Sequence, residues 1–303
     1  MICAFTLSLL KTIAAAQKRL AQASVDNPAL DARLLIGHAL GLDRASLLTQ
    51  EQRILTQEER ATIKYLISRR AAREPVGRIL GQSEFWGLPF GLNEATLEPR
   101  PDSETLIEAA LAFLEKKKEK WDPCLRRDDR KEKKSLHILD LGTGTGCLLL
   151  SLLQELPQAT GLGIDISPRA IDQATTNAKQ LGLEDRSTFQ TGDWLEGVDE
   201  KFDLILSNPP YIPSQDIAQL DPEVRLFDPK KALDGGTDGF DPYRTLIPLI
   251  PSFLRPKGIV VFEVGIYQAE PVKDIMKRNG FERIESKADL SNIPRCIIGQ
   301  FLD

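Results

Sequence analysis

The sequence predicts a two-domain α/β protein, in which a small helical domain precedes a domain built on a seven-stranded, mainly parallel sheet. Residues 1 to about 80 carry helical apolar spacing and no strand-like alternation. From Leu136 onwards, strand-like apolar runs alternate with helix-like segments, which is typical of parallel sheets. A glycine-rich segment, Gly142–Gly146, joins the first run to a helix-like segment. We therefore predict domains over residues 1–81 and 82–303.

Helical spacing organises the first domain. Leu30, Leu34 and Leu35 follow this spacing, and Gly41 supplies a stop signal. The apolar start of the chain lacks the basic segment that precedes the core of a secretion signal. We therefore interpret residues 1–10 as the start of a helix.

A short hairpin is predicted to join the two domains. Residues 85–97 contain Gly87, Pro89 and Gly91, which punctuate two short strand-like runs. A helix is expected from about Ser103, because apolar residues recur there with helical spacing.

The stretch 115–134 is unusually charged, with ten basic and six acidic residues. We favour a solvated insertion or an extended helix end, because dense mixed charge is normally exposed. The alternative is a contact surface for ribosomal RNA or for an acidic partner.

The second domain is predicted to contain seven strands and four intervening helices. The strands are expected at 136–141, 160–165, 187–192, 202–207, 258–264, 281–287 and 295–301. The helices are expected at 146–156, 168–181, 243–254 and 268–279. No helix separates the last two strands, so these should pair antiparallel.

Composition narrows the functional classes. The 303-residue chain has a net charge of −5, so we expect no broad basic surface and no stable nucleic-acid binding. Its four cysteines show no metal-ligand spacing, so we expect no metal and a reducing cytoplasmic location. No apolar run approaches the length of a membrane span, so no membrane association is expected.

The glycine-rich segment predicts a cofactor site. Glycines let the backbone approach a ligand, and the following helix start offers N–H groups. The predicted loop residues are Gly142, Thr143, Gly144, Thr145 and Gly146. Asp165 ends the next strand and occupies the usual place of a ribose-hydroxyl acceptor. Asp193 could accept from an adenine amine and Trp194 could cover the ring, although a core tryptophan is about as reasonable. The set indicates S-adenosylmethionine rather than a nicotinamide cofactor, because the loop lacks the dinucleotide glycine spacing.

Four residues after the fourth strand predict the acceptor site: Asn208, Pro209, Pro210 and Tyr211. Two prolines make a stiff turn that holds hydrogen-bond acceptors in place beside one aromatic ring. Such a site suits a flat, neutral group that bears an NH2, because the acceptors take its hydrogens and the ring stacks on its face.

These motifs resemble the HemK/PrmC methyltransferases over nearly the whole chain. The resemblance rests on Asp140–Cys147, Gly163–Pro168 and Ser207–Ile212, and is narrowed by Glu84–Phe90 and Ala232–Gly236. It implies a Rossmann-like, S-adenosylmethionine-dependent methyltransferase domain. It also implies that the substrate is the side-chain amide of glutamine in the Gly-Gly-Gln motif of class I peptide-chain release factors.

The expected mechanism is direct methyl transfer to the amide nitrogen. Asn208 and the Pro209 carbonyl would accept the amide hydrogens, Tyr211 would hold the amide plane, and positioning would supply most of the rate. A release factor needs a large interface, so we expect the helical domain to recognise the substrate. We expect the enzyme to be a monomer, with S-adenosylhomocysteine as the product.

The sequence leaves three other functions open. An adenine-N6 DNA methyltransferase would use the same Asn208 pocket but needs a DNA-reading region and base flipping. A nicotinamide-dependent oxidoreductase would use the glycine loop, and a non-catalytic protein would use the sheet only to bind a partner.

Overall fold

The computed structural model describes residues 8–121 and 135–302. The chain forms two compact units. One comprises residues up to Gln82 together with Asp221–Phe227, and the other comprises Ser83–Leu220 and the chain from Asp228 onwards. The short segment Asp221–Phe227 is a part of the helical unit that the sequence did not indicate.

Within residues 8–82, five helices build the N-terminal part of the helical unit. They are α1 (Leu9–Gln22), α2 (Pro28–Leu40), α3 (Arg44–Thr49), α4 (Gln57–Ala71) and α5 (Val76–Leu80). The first helix begins after Ser8, whose side chain caps it, and α2 ends at Gly41, which has a positive φ of 63°. A core of aliphatic side chains, including Leu20, Leu35 and Ile67, packs between α1, α2 and α4.

An ion-pair cluster holds the Asp221–Phe227 segment within the helical unit. Arg73 donates through Nε and Nη2 to the two carboxylate oxygens of Glu223, each at 2.6 Å. Arg70 bridges Glu223 at 2.9 Å and Asp31 at 2.7 Å. Paired charges of this kind satisfy a buried guanidinium, which would be costly to leave alone. Glu223 lies on the short helix Pro222–Phe227.

The second unit is built on a seven-stranded sheet with the strand order β5-β4-β3-β6-β7-β9-β8. Its strands are β3 (His137–Leu141), β4 (Thr160–Asp165), β5 (Ser187–Thr191), β6 (Phe202–Ser207), β7 (Leu254–Glu263), β8 (Phe281–Ala288) and β9 (Pro294–Phe301). The first five are parallel, and β9 pairs antiparallel with both β7 and β8. The predicted antiparallel pairing of the last two strands is confirmed.

Helices cover both faces of this sheet. They are α6 (Glu104–Trp121), α7 (Cys147–Glu155), α8 (Pro168–Gln180), α10 (Asp241–Leu246) and α11 (Ala269–Arg278), while α9 (Pro222–Phe227) belongs to the segment described above. Alternate residues of β3 serve the two cores: Ile138 packs on the side of α6 and α7, and Leu139 packs on the side of α10 and α11. In the described part of the chain, no helix combines the length and apolar character needed to cross a membrane.

The prediction of one helix over 243–254 is wrong. The chain forms the short α10, then a 3-10 turn at Ile250–Phe253, and β7 already begins at Leu254. Pro248 and Pro251 explain the break, because each lacks a backbone N–H and its ring obstructs the preceding turn of a helix.

The joining hairpin is shorter and earlier than predicted. Its strands are β1 (Gln82–Phe85) and β2 (Leu88–Gly91), so the prediction of a hairpin over 85–97 is wrong in its bounds. Trp86 and Gly87 both have positive φ, at 54° and 69°, and form the two-residue turn whose twist suits a hairpin.

The charged stretch 115–134 falls largely outside the described residues. The backbone of α6 is described to Trp121, and no side chain from 116 to 134 is described. The two interpretations of this stretch therefore remain predictions.

Asn177 links three parts of the second unit. This fully buried side chain on α8 accepts from the Gly91 N–H at 2.9 Å and donates to the Thr145 carbonyl at 2.9 Å. It thereby ties the joining hairpin to the glycine loop.

We expect Asn177→Ala to lower the free energy of unfolding by roughly 2–4 kcal/mol, because it leaves buried polar groups without partners. Urea denaturation measures this loss. The control is Gln180→Ala on the exposed face of the same helix, which should change stability little. Equal stability of the two variants would contradict the linking role of Asn177.

Candidate functional site

A cavity of about 670 Å³ opens at the carboxyl ends of the central strands. The chain order reverses between β3 and β6, and ligands in open α/β sheets bind at such a switch point. Several predicted site residues line the cavity: Gly142, Thr143, Gly144, Thr145, Asp165, Asp193, Trp194, Asn208 and Pro210. The cavity volume is in the range of small-molecule sites.

The loop after β3 presents its backbone to the cavity. Gly142, Gly144 and Gly146 have φ values of 73°, 55° and 78°, which other residues rarely adopt. A Cβ added to Gly144 would meet no atom within 4 Å, whereas one added to Gly146 would lie 3.1 Å from Leu150. Gly144 therefore keeps open space on the wall of the cavity, and Gly146 permits close packing of α7.

Asp165 at the end of β4 fixes the same loop. Its Oδ2 accepts from the Gly144 N–H and its Oδ1 from the Ser167 N–H, both at 2.9 Å. Burial raises the pKa of Asp165, and these two N–H groups act in the opposite direction. A carboxylate offers about four lone-pair sites, so Asp165 retains capacity to accept from ligand hydroxyls.

Asp193 and Trp194 follow β5 on the cavity wall. Asp193 is exposed, and Trp194 is half-buried with a positive φ of 53°. The Trp194 ring packs against the glycine loop, since its Cζ3 lies 3.6 Å from where a Cβ of Gly142 would stand. Ile166, which the sequence analysis missed, is 52% exposed on the same wall and could contact a flat ring.

Asn208 lies on the cavity wall directly after β6. The Ser207 hydroxyl donates to the Leu141 carbonyl at 2.7 Å, which holds the ends of β6 and β3 together. The Asn208 side chain donates through Nδ2 to Ser103 Oγ at 3.2 Å. Pro209 is buried, and neither Pro209 nor Tyr211 is among the residues that line the cavity.

A second glycine-rich loop, residues 233–236, pairs with the backbone that follows the Asn-Pro-Pro-Tyr turn. Ile212 donates its N–H to the Leu233 carbonyl at 3.0 Å and accepts from the Gly235 N–H at 2.8 Å. A Cβ on Gly235 would lie 2.8 Å from Tyr211 Cα and 2.9 Å from the Pro210 carbonyl oxygen. The absence of a side chain at Gly235 is therefore what allows the two loops to pair.

The Gln268 side chain binds the backbone of the Asn-Pro-Pro-Tyr turn and of two neighbouring loops. Its Nε2 donates to the carbonyls of Tyr211 at 3.0 Å and Gly239 at 3.1 Å, while its Oε1 accepts from the Gly265 N–H at 2.9 Å. Gln268 was not predicted as a site residue, because a glutamine at a helix start carries no distinctive pattern.

Glu263 is the most consequential residue that the sequence analysis did not assign. It is 2% exposed at the end of β7, and it accepts from the hydroxyls of Ser103 and, at 3.3 Å, Tyr211. Burial raises the pKa of Glu263 to about 7, although Ser103, Arg295 and Tyr211 act to lower it. The sequence offered one signal for this residue, namely a single acid within an otherwise apolar, strand-like run.

Arg295 lies beside this carboxylate. Its Nη2 donates to Asp102 at 3.1 Å and to Asp289 at 3.3 Å. Opposite charges near the site raise the pKa of Arg295 despite its burial. Within residues 8–121 and 135–302, no cluster of three or more acidic, His or Cys side chains has the arrangement of a metal site.

Comparisons with known proteins match both parts of the chain to described families. Residues 11–81 match the PrmC N-terminal domain family, and residues 132–294 match a methyltransferase domain family. The release factor glutamine methyltransferase of Rhodospirillum rubrum is 49% identical over 93% of this chain and 82% of its own length. That of Bradyrhizobium diazoefficiens is 45% identical over 95% of this chain and 92% of its own length.

The chain belongs to the release factor glutamine methyltransferase family. The resemblance found in the sequence is thereby confirmed. A solved structure, the delta-N METTL16 MTase domain, covers 79% of this chain and 97% of its own length with a TM-score of 0.50 at 16% identity. That likeness shows the fold alone. Together with the match to a methyltransferase domain family, it confirms the predicted Rossmann-like methyltransferase class.

We expect Gly235→Ala to displace the Asn-Pro-Pro-Tyr turn, because the new methyl group would collide with the backbone at Pro210 and Tyr211. Methyl transfer should fall much more than the free energy of unfolding. Gly182→Ala is the control, since Gly182 has a positive φ of 67° but open space around it. That substitution should cost stability of about 1 kcal/mol while methyl transfer persists. Wild-type transfer by Gly235→Ala would show that the close approach is dispensable.

Proposed function

We propose that this protein transfers a methyl group from S-adenosylmethionine to the side-chain amide nitrogen of the glutamine in the Gly-Gly-Gln motif of class I peptide-chain release factors. The observation that carries the proposal is the shared cavity: the glycine loop, Asp165 and Asn208 all line it. A cofactor cradle and an amide-binding group thus face one space. The relatives from Rhodospirillum rubrum and Bradyrhizobium diazoefficiens are named release factor glutamine methyltransferases, which supports the proposal.

The cradle suits S-adenosylmethionine, which supplies an activated methyl group on a positively charged sulfur. The open space at Gly144 admits a ligand against the backbone, and Asp165 has acceptor capacity for ribose hydroxyls. Trp194 and Ile166 offer apolar surface for an adenine ring, and Asp193 an acceptor for its amine. We assign cofactor binding to residues 142–146 with these side chains and Asn208.

The acceptor end of the cavity suits a primary amide. The nitrogen of an amide is a weak nucleophile because its lone pair is delocalised into the carbonyl. The Asn208 side-chain oxygen and the Pro209 carbonyl would accept the two amide hydrogens, and Pro210 and Tyr211 would complete the acceptor site. These acceptors would also stabilise the positive charge that develops on nitrogen during transfer. Orientation can contribute roughly 7–11 kcal/mol to lowering the barrier, so no side-chain base is required before transfer.

We assign substrate recognition to the helical domain. Leu30 and Leu34, one helical turn apart on α2, are 56% and 46% exposed. An apolar pair of this kind gives a protein partner a place to bury surface, and a single glutamine side chain offers too little. We further propose that the enzyme acts as a monomer in the cytoplasm, where class I release factors work.

We expect Asn208→Ala to bind S-adenosylmethionine almost normally but to methylate the release factor at least roughly 100-fold more slowly, the scale of losing one preorganised polar contact. Labelled cofactor measures the rate, and calorimetry measures the affinity. The same assay with DNA as the acceptor tests the adenine-N6 alternative. Near-normal turnover by Asn208→Ala would remove the proposed mechanism.

We expect the double substitution of Leu30→Ala and Leu34→Ala to raise the KM for the intact release factor while kcat stays unchanged, since it removes binding surface and leaves the cavity intact. Steady-state kinetics separate the two parameters. The matched control is Leu249→Ala, which truncates a leucine of similar exposure, 48%, in the catalytic unit. An unchanged KM would assign recognition to another surface.

A further inference from the structure

Three hydrogen bonds connect the buried Glu263 to the acceptor site. Ser103 Oγ donates to Glu263 Oε2, and Tyr211 donates its hydroxyl to Glu263 Oε1 at 3.3 Å. Asn208 Nδ2 in turn donates to Ser103 Oγ at 3.2 Å. Ser103 is 3% exposed and Glu263 2% exposed, so these groups have little access to alternative partners in water.

The number of available hydrogens determines which group donates in each of these hydrogen bonds. An ionised carboxylate can only accept, and a serine hydroxyl has one hydrogen to give. Since that hydrogen goes to Glu263, the Ser103 oxygen is left to accept from Asn208. The Asn208 amide must therefore turn its NH2 group toward Ser103, which leaves its oxygen to accept from a ligand at the cavity wall.

We propose that Glu263 is a positioning residue that sets the orientation of the Asn208 amide through Ser103 and holds the Tyr211 hydroxyl. This inference rests on the proposed function, because an amide substrate needs the Asn208 oxygen, not its NH2 group, at the cavity wall. The reversed amide would present two donors to a substrate group that also donates. Glu263 acts through its neighbours.

The substitution Glu263→Gln should reverse the direction of donation between residue 263, Ser103 and Asn208. The Tyr211 hydroxyl donates to residue 263 in the structure, and keeping this bond places the glutamine oxygen at Tyr211 and the glutamine NH2 group at Ser103. Ser103 then accepts from the glutamine and gives its own hydrogen to the Asn208 oxygen. Ser103→Ala, by contrast, only releases the Asn208 amide and imposes no wrong orientation. The isosteric glutamine is therefore expected to be the more harmful change.

The pH dependence should follow the charge on Glu263. Protonated Glu263 can donate a hydrogen bond, whereas ionised Glu263 can only accept. Only the ionised form therefore forces Ser103 to donate to Glu263 and to accept from Asn208. Because burial raises the pKa of Glu263 to about 7, kcat should rise as the pH rises through about 7. The titratable or charged groups that face Glu263 are Asp102, Cys147, Tyr211, Tyr243, Arg295 and Cys296.

The test compares three variants of the full chain at saturating S-adenosylmethionine. We expect Glu263→Gln to lower kcat by roughly 100-fold, the scale of one preorganised contact, with KM for the release factor and cofactor affinity unchanged. Ser103→Ala should lose less. Asp203→Asn is the matched control, since it changes a half-buried carboxylate elsewhere on the sheet, bound by Arg255 at 2.6 Å, and should keep wild-type kcat.

Two further measurements separate orientation from general damage. The rise of kcat through about pH 7 should be absent in Glu263→Gln, and the melting temperature at pH 8 should not fall, because an ionised buried carboxylate has been replaced by a neutral amide. The side-chain NH2 resonance of Asn208, identified by its absence in Asn208→Ala, should shift in Glu263→Gln and Ser103→Ala but not in Asp203→Asn.

A wild-type kcat together with an unmoved Asn208 resonance in Glu263→Gln would overturn the inference. A loss of kcat that merely tracks a fall in melting temperature would do the same. If the wild-type protein methylates no release factor while the Asn208 resonance still shifts as expected, the proposed function fails and the orienting role of Glu263 stands.

Discussion

The parallel pairing of β3 with β6 is the contact on which the site depends. It aligns Leu141 with Ser207, so the glycine loop and the Asn-Pro-Pro-Tyr turn begin side by side. The bond from the Ser207 hydroxyl to the Leu141 carbonyl fixes this alignment at its last residue pair. A slip of the register would carry Asn208 away from the cofactor cradle, because successive residues of a strand point to opposite faces.

Two acids at the site are buried, and burial disfavours their ionised forms. Asp140 and Glu263 are both buried, and desolvation raises the pKa of each to about 7. Thr143 donates to Asp140, and Ser103 donates to Glu263, so hydrogen bonds offset part of the cost. Buried acids of this kind are common at functional sites, where the orientation they impose outweighs the stability they forgo.

Sequence patterns predicted the strands well, since buried parallel strands are continuous apolar runs. Strands β4 and β6 have the predicted bounds of 160–165 and 202–207. Apolar spacing over 243–254 predicted one helix, but Pro248 and Pro251 prevent a continuous helix there. The hydrogen bonds that join Glu263, Ser103 and Asn208 could not be predicted from the sequence, because these residues lie up to 160 positions apart. They meet only where the 3-10 turn Pro101–Ser103 packs at the ends of β6 and β7. The roles of Asp165, Asp193, Trp194 and Asn208 remain predictions that their place in the cavity supports.

The ion pairs of Glu223 make the helical unit discontinuous along the chain. Arg70 and Arg73 are synthesised early, but their partner follows only after residues 83–220. At roughly 5–20 residues per second, the ribosome needs on the order of ten seconds to supply it. During that interval, the two guanidinium groups lack the carboxylate that joins them. The first unit can therefore be completed only after residues 83–220 of the second unit have been synthesised.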